Sequence, residues 1–152
     1  MQETYMRRAI ELAKKGIGAV NPNPLVGAVI VKDGRIIGEG YHRRYGELHA
    51  ERDAFAHLTE DAAGAEMYVT LEPCPMCSGA IINSRIRRVV YGAADTKAGC
   101  CGSVADLFAM PFNHHPVVEQ GLRAEEAQEL LQAFFKDLRA RLAARPKWKP
   151  PV

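Results

Sequence analysis

The chain has 152 residues, with 20 Lys and Arg against 18 Asp and Glu, 47% hydrophobic and 25% charged residues. These proportions exclude wholesale disorder, and the length suits one domain with a real core rather than two. No uncharged run is long enough to cross a bilayer and the N-terminus lacks the apolar stretch of an export signal, so no membrane partner is expected and the cytoplasm is the expected setting.

From Glu3 to Lys15, the apolar Tyr5, Met6, Ile10 and Leu12 stand among Arg7, Arg8, Glu11 and Lys14. That pattern predicts an amphipathic helix, closed by Gly16 and Gly18. Leu25 to Val31 is apolar apart from Gly27 and predicts a strand covered on both faces. Lys32-Asp33-Gly34-Arg35 supplies the Asp-Gly pair of a tight hairpin, returning through Ile36-Ile37. A helix is expected to begin near His49 and carry Ala54, Phe55 and Leu58. Met67 to Leu71 predicts a third strand. Pro75 suits the first position of a helix running through Ala80, Ile81 and Ile82 to Ser84. Val89-Val90-Tyr91 and Val117-Val118 predict two further strands. Ala127, Leu130, Leu131, Phe134, Phe135, Leu138 and Leu142 recur at steps of three and four, which predicts a C-terminal helix stopped by Pro146. Alternating strands and helices predict a three-layer α/β/α fold with a five-stranded mixed sheet. A single domain over residues 1–152 is expected, with a basic tail over 143–152.

Two short segments carry the chemistry: His49-Ala50-Glu51 and Pro73-Cys74-Pro75-Met76-Cys77. Cys74 and Cys77 should straddle a helix N-terminus, where the backbone dipoles favour thiolate. His49, Cys74 and Cys77 together offer three ligands to one Zn2+ per chain, leaving a fourth tetrahedral position for water, as catalytic sites do. Glu51 is the carboxylate expected to stay off the metal and act as general acid and base. A redox Cys-x-x-Cys would not normally be preceded by a His-x-Glu on a separate helix, and for a structural zinc site no second Cys-x-x-Cys or ligand-spaced His pair supplies the rest. Cys100 and Cys101, between Gly99 and Gly102, read as small residues in a turn.

These two segments match the H-x-E…P-C-x-x-C signature of zinc-dependent nucleobase deaminases. The second half of the chain resembles the bacterial tRNA adenosine deaminase family, TadA. The resemblance rests on Tyr68-Val69-Thr70-Leu71-Glu72-Pro73-Cys74-Pro75-Met76-Cys77, Ser84-Arg85-Ile86, Val89-Val90-Tyr91-Gly92-Ala93, Gly99, Gly102-Ser103 and Phe134-Phe135. It implies the cytidine-deaminase-like fold, a homodimer, and conversion of the wobble adenosine of a tRNA anticodon to inosine. It also implies that Asp95 and Lys97 contact the anticodon strand. The basic cluster of Lys136, Arg139, Arg141, Arg145, Lys147 and Lys149 would then meet phosphate.

The first half is similar instead to the deaminase domain of the riboflavin-pathway family RibD, which acts on a free pyrimidine ribotide. Asn21-Pro22-Asn23-Pro24-Leu25-Val26-Gly27, Gly38-Glu39-Gly40-Tyr41-His42 and Tyr45-Gly46-Glu47-Leu48-His49-Ala50-Glu51-Arg52 carry that likeness. It implies that Asn23 hydrogen-bonds substrate. His42 stands where an Asn would bind the base in TadA, and the loop from Arg43 to Leu48 is shorter. RibD, however, places its second ligand cysteine after a longer insert. The chain thus reads as a splice of two related deaminases at the shared strand, Tyr68 to Glu72. The residues expected to touch substrate are Asn23, His42, Ala50, Asp95 and Lys97. Two substrate classes remain open: tRNA or another single-stranded nucleic acid, and a free base, nucleoside or ribotide. A nucleic-acid-binding scaffold without turnover is the third reading.

Overall fold

Period-two alternation in the central strands decides how the layers form. The structure is a computed structural model and describes residues 2–146 and 150–151. In chain order it contains α1 (Gln2–Lys14), β1 (Gly27–Lys32), β2 (Arg35–Tyr41), α2 (Ala50–Ala56), β3 (Glu66–Leu71), α3 (Pro75–Asn83), β4 (Arg88–Ala93), β5 (Val117–Gln120) and α4 (Ala124–Ala144). Ala28, Ile30, Met67, Val69, Val89 and Tyr91 face one way, against Ala50 and Ala54 of α2 and Ile81 and Ile82 of α3. Val29, Val31, Tyr68 and Val90 face the other way, against Met6, Ala9, Ile10 and Leu12 of α1, with Leu130 of α4 beside them. The central strands β1, β3 and β4 bury both faces, so the predicted three-layer α/β/α arrangement is what forms.

The five strands run in the order β2-β1-β3-β4-β5. β1 pairs antiparallel with β2 and with β3, whereas β3–β4 and β4–β5 are parallel. The sheet is therefore mixed, as expected. Asp33 (φ 50°) and Gly34 (φ 73°) both adopt the left-handed conformation that a two-residue hairpin with the native strand twist requires. Parallel β3 and β4 cannot be joined by a hairpin, and α3 supplies the crossover. The carboxyl ends of β3 and β4 consequently open on the same side as the start of α3, where open α/β sheets hold their ligands.

Close approach fixes α2 on the sheet. A Cβ on Gly40 would lie 2.3 Å from the Ala54 amide nitrogen and 2.4 Å from the Ala50 carbonyl oxygen, so β2 and α2 meet backbone to backbone. Any side chain there would lift the helix that carries Glu51.

One boundary needs correction, and two features go beyond what the sequence pattern specified. α2 ends at Ala56, so Leu58 lies beyond it; the chain turns at His57 and the Thr59 amide donates to the Ile37 carbonyl at 2.9 Å, while Leu58 still packs on the core. A one-turn 3-10 helix, Leu107–Ala109, was not foreseen; the Asp106 side chain caps it by accepting from the Phe108 and Ala109 amides. The apolar stripe of α4 is only partly covered: Ala127 and Leu138 are buried, but Leu142 is 50% exposed. Lys147 and Lys149 of the expected basic cluster lie outside the described residues, and Pro146 does follow the end of α4. Among the described residues, no helix is long and apolar enough to cross a membrane.

Candidate active site

Two helix starts converge at the carboxyl end of the central strands. His49 is the residue before α2, in extended conformation, and Cys74 holds the same place before α3, with Pro75 at the first helical position. Cys77 follows one turn into α3 and is fully buried. His49 Nδ1 lies 3.6 Å from Cys74 Sγ and 3.7 Å from Cys77 Sγ, and the three donor atoms are all within 4.8 Å of one another. Zn–S and Zn–N bonds of about 2.3 and 2.1 Å at a tetrahedral angle put N and S about 3.6 Å apart. The donor set thus fits zinc in both spacing and chemistry, with three protein ligands available and a fourth position left over.

The electrostatics agree with that reading. A hydrogen bond from Cys77 brings the Cys74 thiol down to about 4, against the opposing effect of burial and with further help from His49. Cys77 is pushed up in turn, because it keeps the shared proton against Cys74 and is buried. His49 is raised by its hydrogen bond to Cys74, against the opposing effect of burial. A cation placed among these groups would displace their protons.

Glu51 lies in the first turn of α2 and is only 4% exposed. Its Oε2 accepts from Cys77 Sγ at 3.4 Å, so the carboxylate stands beside the donor triad. Burial pushes its pKa up, the negative charge at Cys74 adds to this, and hydrogen bonds from its own amide and from Cys77 offset part of the rise. An upward shift of this kind favours the protonated form, which suits a group that takes up a proton and hands it on.

A cavity of about 190 Å³ opens over these groups. That is smaller than the range of about 300–1,000 Å³ typical of drug-sized ligands and matches a single flat ring. Asn23, Pro24, Val26, His42, Ala50, Leu71, Glu72, Asp95 and Ala98 complete its walls with the metal-site residues. Of the residues expected to touch substrate, Asn23, His42, Ala50 and Asp95 are therefore gathered here. Lys97 is not: it is exposed and lines a neighbouring cavity of about 290 Å³ with Asp95, Leu131 and Phe135. The Asp95 carboxylate is turned onto its own loop, where Oδ1 accepts from the Lys97 and Ala98 amides at 2.9 and 3.1 Å.

Asn23 and His42 form one polar unit. His42, 4% exposed, places Nδ1 at 2.9 Å from the Leu48 carbonyl oxygen and Nε2 at 3.2 Å from Asn23 Nδ2. A carbonyl can only accept, so Nδ1 carries the proton. In the neutral imidazole Nε2 then accepts from the Asn23 amide, which leaves Asn23 Oδ1 as the acceptor available to the cavity. The Leu48 carbonyl's part in this could not be read from sequence, since a backbone oxygen leaves no signature there. Glu72 and Ala98 were also missed as wall residues. The signal for Glu72 was present, a carboxylate directly before Pro73-Cys74 in a buried strand end.

Comparison with known proteins places this geometry. Residues 1–93 match the model of the cytidine and deoxycytidylate deaminase zinc-binding region. The chain is 47% identical over 137 residues to the riboflavin biosynthesis protein RibD of Actinobacillus pleuropneumoniae, covering 86% of this chain but 36% of that protein. It is 39% identical over 155 residues to the tRNA-specific adenosine deaminase of Bacillus subtilis, covering 95% of each. Among solved structures, a Thermotoga maritima diaminohydroxyphosphoribosylaminopyrimidine deaminase/5-amino-6-(5-phosphoribosylamino)uracil reductase superposes with a TM-score of 0.76 at 43% identity, over 92% of this chain and 42% of that one. The chain thus spans a little over a third of the RibD protein it matches, and both sequence matches cross the strand from Tyr68 to Glu72. With the zinc-fit triad of His49, Cys74 and Cys77 beside a buried carboxylate, the match over residues 1–93 shows that this chain belongs to the cytidine and deoxycytidylate deaminase family of zinc-dependent hydrolytic deaminases.

Proposed function

We propose that the chain hydrolyses the exocyclic amine of an adenosine held in a tRNA anticodon loop, releasing ammonia and leaving inosine. His49, Cys74 and Cys77 would hold the zinc, which when bound supplies Lewis acidity and makes a water acidic. Glu51 takes a proton from the attacking water and passes it to ring N1 as the water oxygen bonds to C6. It then takes the proton of the new C6 hydroxyl and delivers it to the amine as the C6–N bond breaks and the C6 carbonyl forms. Adenosine and water are thereby converted to inosine and ammonia with no other reactant. The cavity wall of Val26, Ala50 and Leu71 is apolar and suits the faces of a flipped base.

The observation that carries the substrate class is the groove leaving the site. The base-sized cavity and the adjoining cavity share Pro24, Leu71 and Asp95 as walls, and the second reaches Leu131 and Phe135 of α4. Further along α4 stand Lys136, Arg139, Arg141 and Arg145, all exposed, with Arg141 paired to Asp137. A free nucleotide needs no such path, whereas a strand entering the site would follow it. The tRNA-specific relative, matched over nearly the whole of both chains, supports the same reading. Three phosphate contacts from Lys136, Arg139 and Arg145 give a loss of about 20-fold in kcat/KM on an anticodon stem-loop between roughly 50 and 200 mM salt. Turnover insensitive to salt would refute the nucleic-acid part of the proposal.

One feature favours a second substrate, a free aminopyrimidine ribotide. Asn23 Oδ1 offers an acceptor, and the ring nitrogens along adenine's edges are acceptors too, whereas a diaminopyrimidine presents N–H donors. The RibD relatives support this alternative. Mass analysis after incubation with an anticodon stem-loop, a cytidine oligonucleotide and free nucleotides separates the two, because deamination adds one mass unit to the true substrate alone.

The homodimer belongs to the same proposal. Tyr45, Leu48 and Met76 are exposed apolar residues near His49 and Cys77. Light scattering on the purified chain tests it, with twice the chain mass expected.

A further inference from the structure

We infer that Glu72 is a positioning residue that fastens the loop from Asp95 to Ser103 onto the metal-binding segment, and so fixes the wall that meets the substrate. Its side chain is 2% exposed at the end of β3, immediately before Pro73-Cys74. Glu72 Oε2 accepts from the Asp95 amide at 3.2 Å, and Oε1 accepts from the Ser103 amide at 3.3 Å. One carboxylate thus ties together the two ends of a loop that runs over the site. The loop's middle is tied to the same segment, since the Cys100 amide donates to the Pro73 carbonyl at 2.9 Å.

The sequence accommodates this carboxylate at a specific place. A Cβ on Gly99 would lie 1.5 Å from Glu72 Oε2, and the Gly99 amide donates to the Asp95 carbonyl at 2.9 Å. Only a residue without a side chain lets the loop close over Glu72. Asp95 and Ala98 are the loop residues that line the base-sized cavity. Glu51, by contrast, has its own partner in Cys77, whose Sγ lies 3.4 Å from its Oε2. Glu72 therefore acts on substrate placement rather than on proton transfer, and this assignment rests on the cavity being the substrate site.

The test uses Glu72→Gln, which keeps the shape but turns an amide NH2 toward one of the two backbone donors, and Gly99→Ala, which attacks the same contact from the loop side. Amide hydrogen exchange followed by mass spectrometry reads the loop without any substrate. In both variants the amides of Asp95 and Ser103 should exchange about 10-fold faster or more, as expected for loss of a hydrogen bond to a charged group. Zinc content should stay at the level of the parent. On whichever substrate the parent deaminates, KM should rise about 10-fold with kcat changed far less. Unchanged exchange at both amides would overturn the inference. So would loss of zinc, which would make Glu72 a support of the metal, or a fall in kcat at constant KM, which would place it in the chemistry. If Glu72→Gln does not fold, Gly99→Ala decides by the same readings. Should no tested substrate turn over, the exchange result still stands by itself and the substrate proposal fails separately.

Discussion

Replacing Gly40 by Ala tests how the fold delivers Glu51 to the site. The added Cβ would sit 2.3 Å from the Ala54 nitrogen and 2.4 Å from the Ala50 oxygen, where ordinary contact begins at 3.4 Å. Backbone cannot rotate away as a side chain can, so α2 must move off β2 by about 1 Å. That displacement carries His49 and Glu51 away from Cys74 and Cys77, which belong to α3 and stay with β3. Overpacking of this kind costs about 1–3 kcal/mol, a fall in Tm of roughly 2–12 °C for a chain of this size. A shift of about 1 Å in catalytic geometry costs on the order of 100-fold in rate. Calorimetry and ammonia release on the same preparation read both effects, and zinc affinity should weaken as well. A variant that melts like the parent and turns over at the parent's rate would show that the backbone contact does not set the position of α2.

Glu51→Gln should retain zinc and lose about 10²- to 10⁴-fold in kcat, measured by steady-state ammonia release; equal rates would remove the general acid and base assignment. Asp53 is a buried carboxylate that accepts from the Tyr41 amide at 3.1 Å and from Arg43 Nε at 3.1 Å. Asp53→Asn should therefore cost about 1–3 kcal/mol in thermal unfolding, and an unchanged Tm would mean those bonds are not needed. Glu39 is held below its ordinary value of 4.5 by the Arg8 guanidinium, against the opposing effect of burial. A carboxyl lowered by folding stabilises above its unfolded pKa, and that contribution is lost as pH falls from 4.5 through the lower folded value. Glu39→Gln should thus melt below the parent near neutral pH, by about 1 kcal/mol or less since both partners are partly exposed. The gap should close on acidification, and one independent of pH would contradict the pairing.

Much of this was legible because the relevant signals are local. Asp33-Gly34 specified its turn, Pro75 marked a helix start, the unbroken apolar run before Lys32 marked a strand covered on both faces, and the succession of strands and helices specified the layers. The metal residues were legible because zinc chemistry restricts both residue type and spacing, and the fold then brought His49 within 3.7 Å of both sulfurs. What sequence did not yield depends on where backbone atoms lie. The Leu48 carbonyl sets the polarity of His42 and Asn23, yet any residue at position 48 would supply a carbonyl. Glu72 gains its partners from the Asp95 and Ser103 amides, which residue identity does not encode. Lys97, expected to contact the anticodon strand, lines the adjoining cavity rather than the base-sized one, a placement set by how the loop folds and not by residue type. Leu142 keeps the helical spacing of its stripe yet is 50% exposed, because spacing along a helix does not say how far its packing partners extend.

X-ray absorption at the zinc edge of the purified chain, with metal content measured on the same sample, tests the central proposition most directly. The account expects one zinc per chain with two sulfurs at about 2.3 Å and two lighter donors at about 2.0–2.1 Å, and the same spectrum in Glu51→Gln. A chain that takes up no zinc, a shell with any other sulfur count, or a light donor lost when Glu51 is replaced would contradict it.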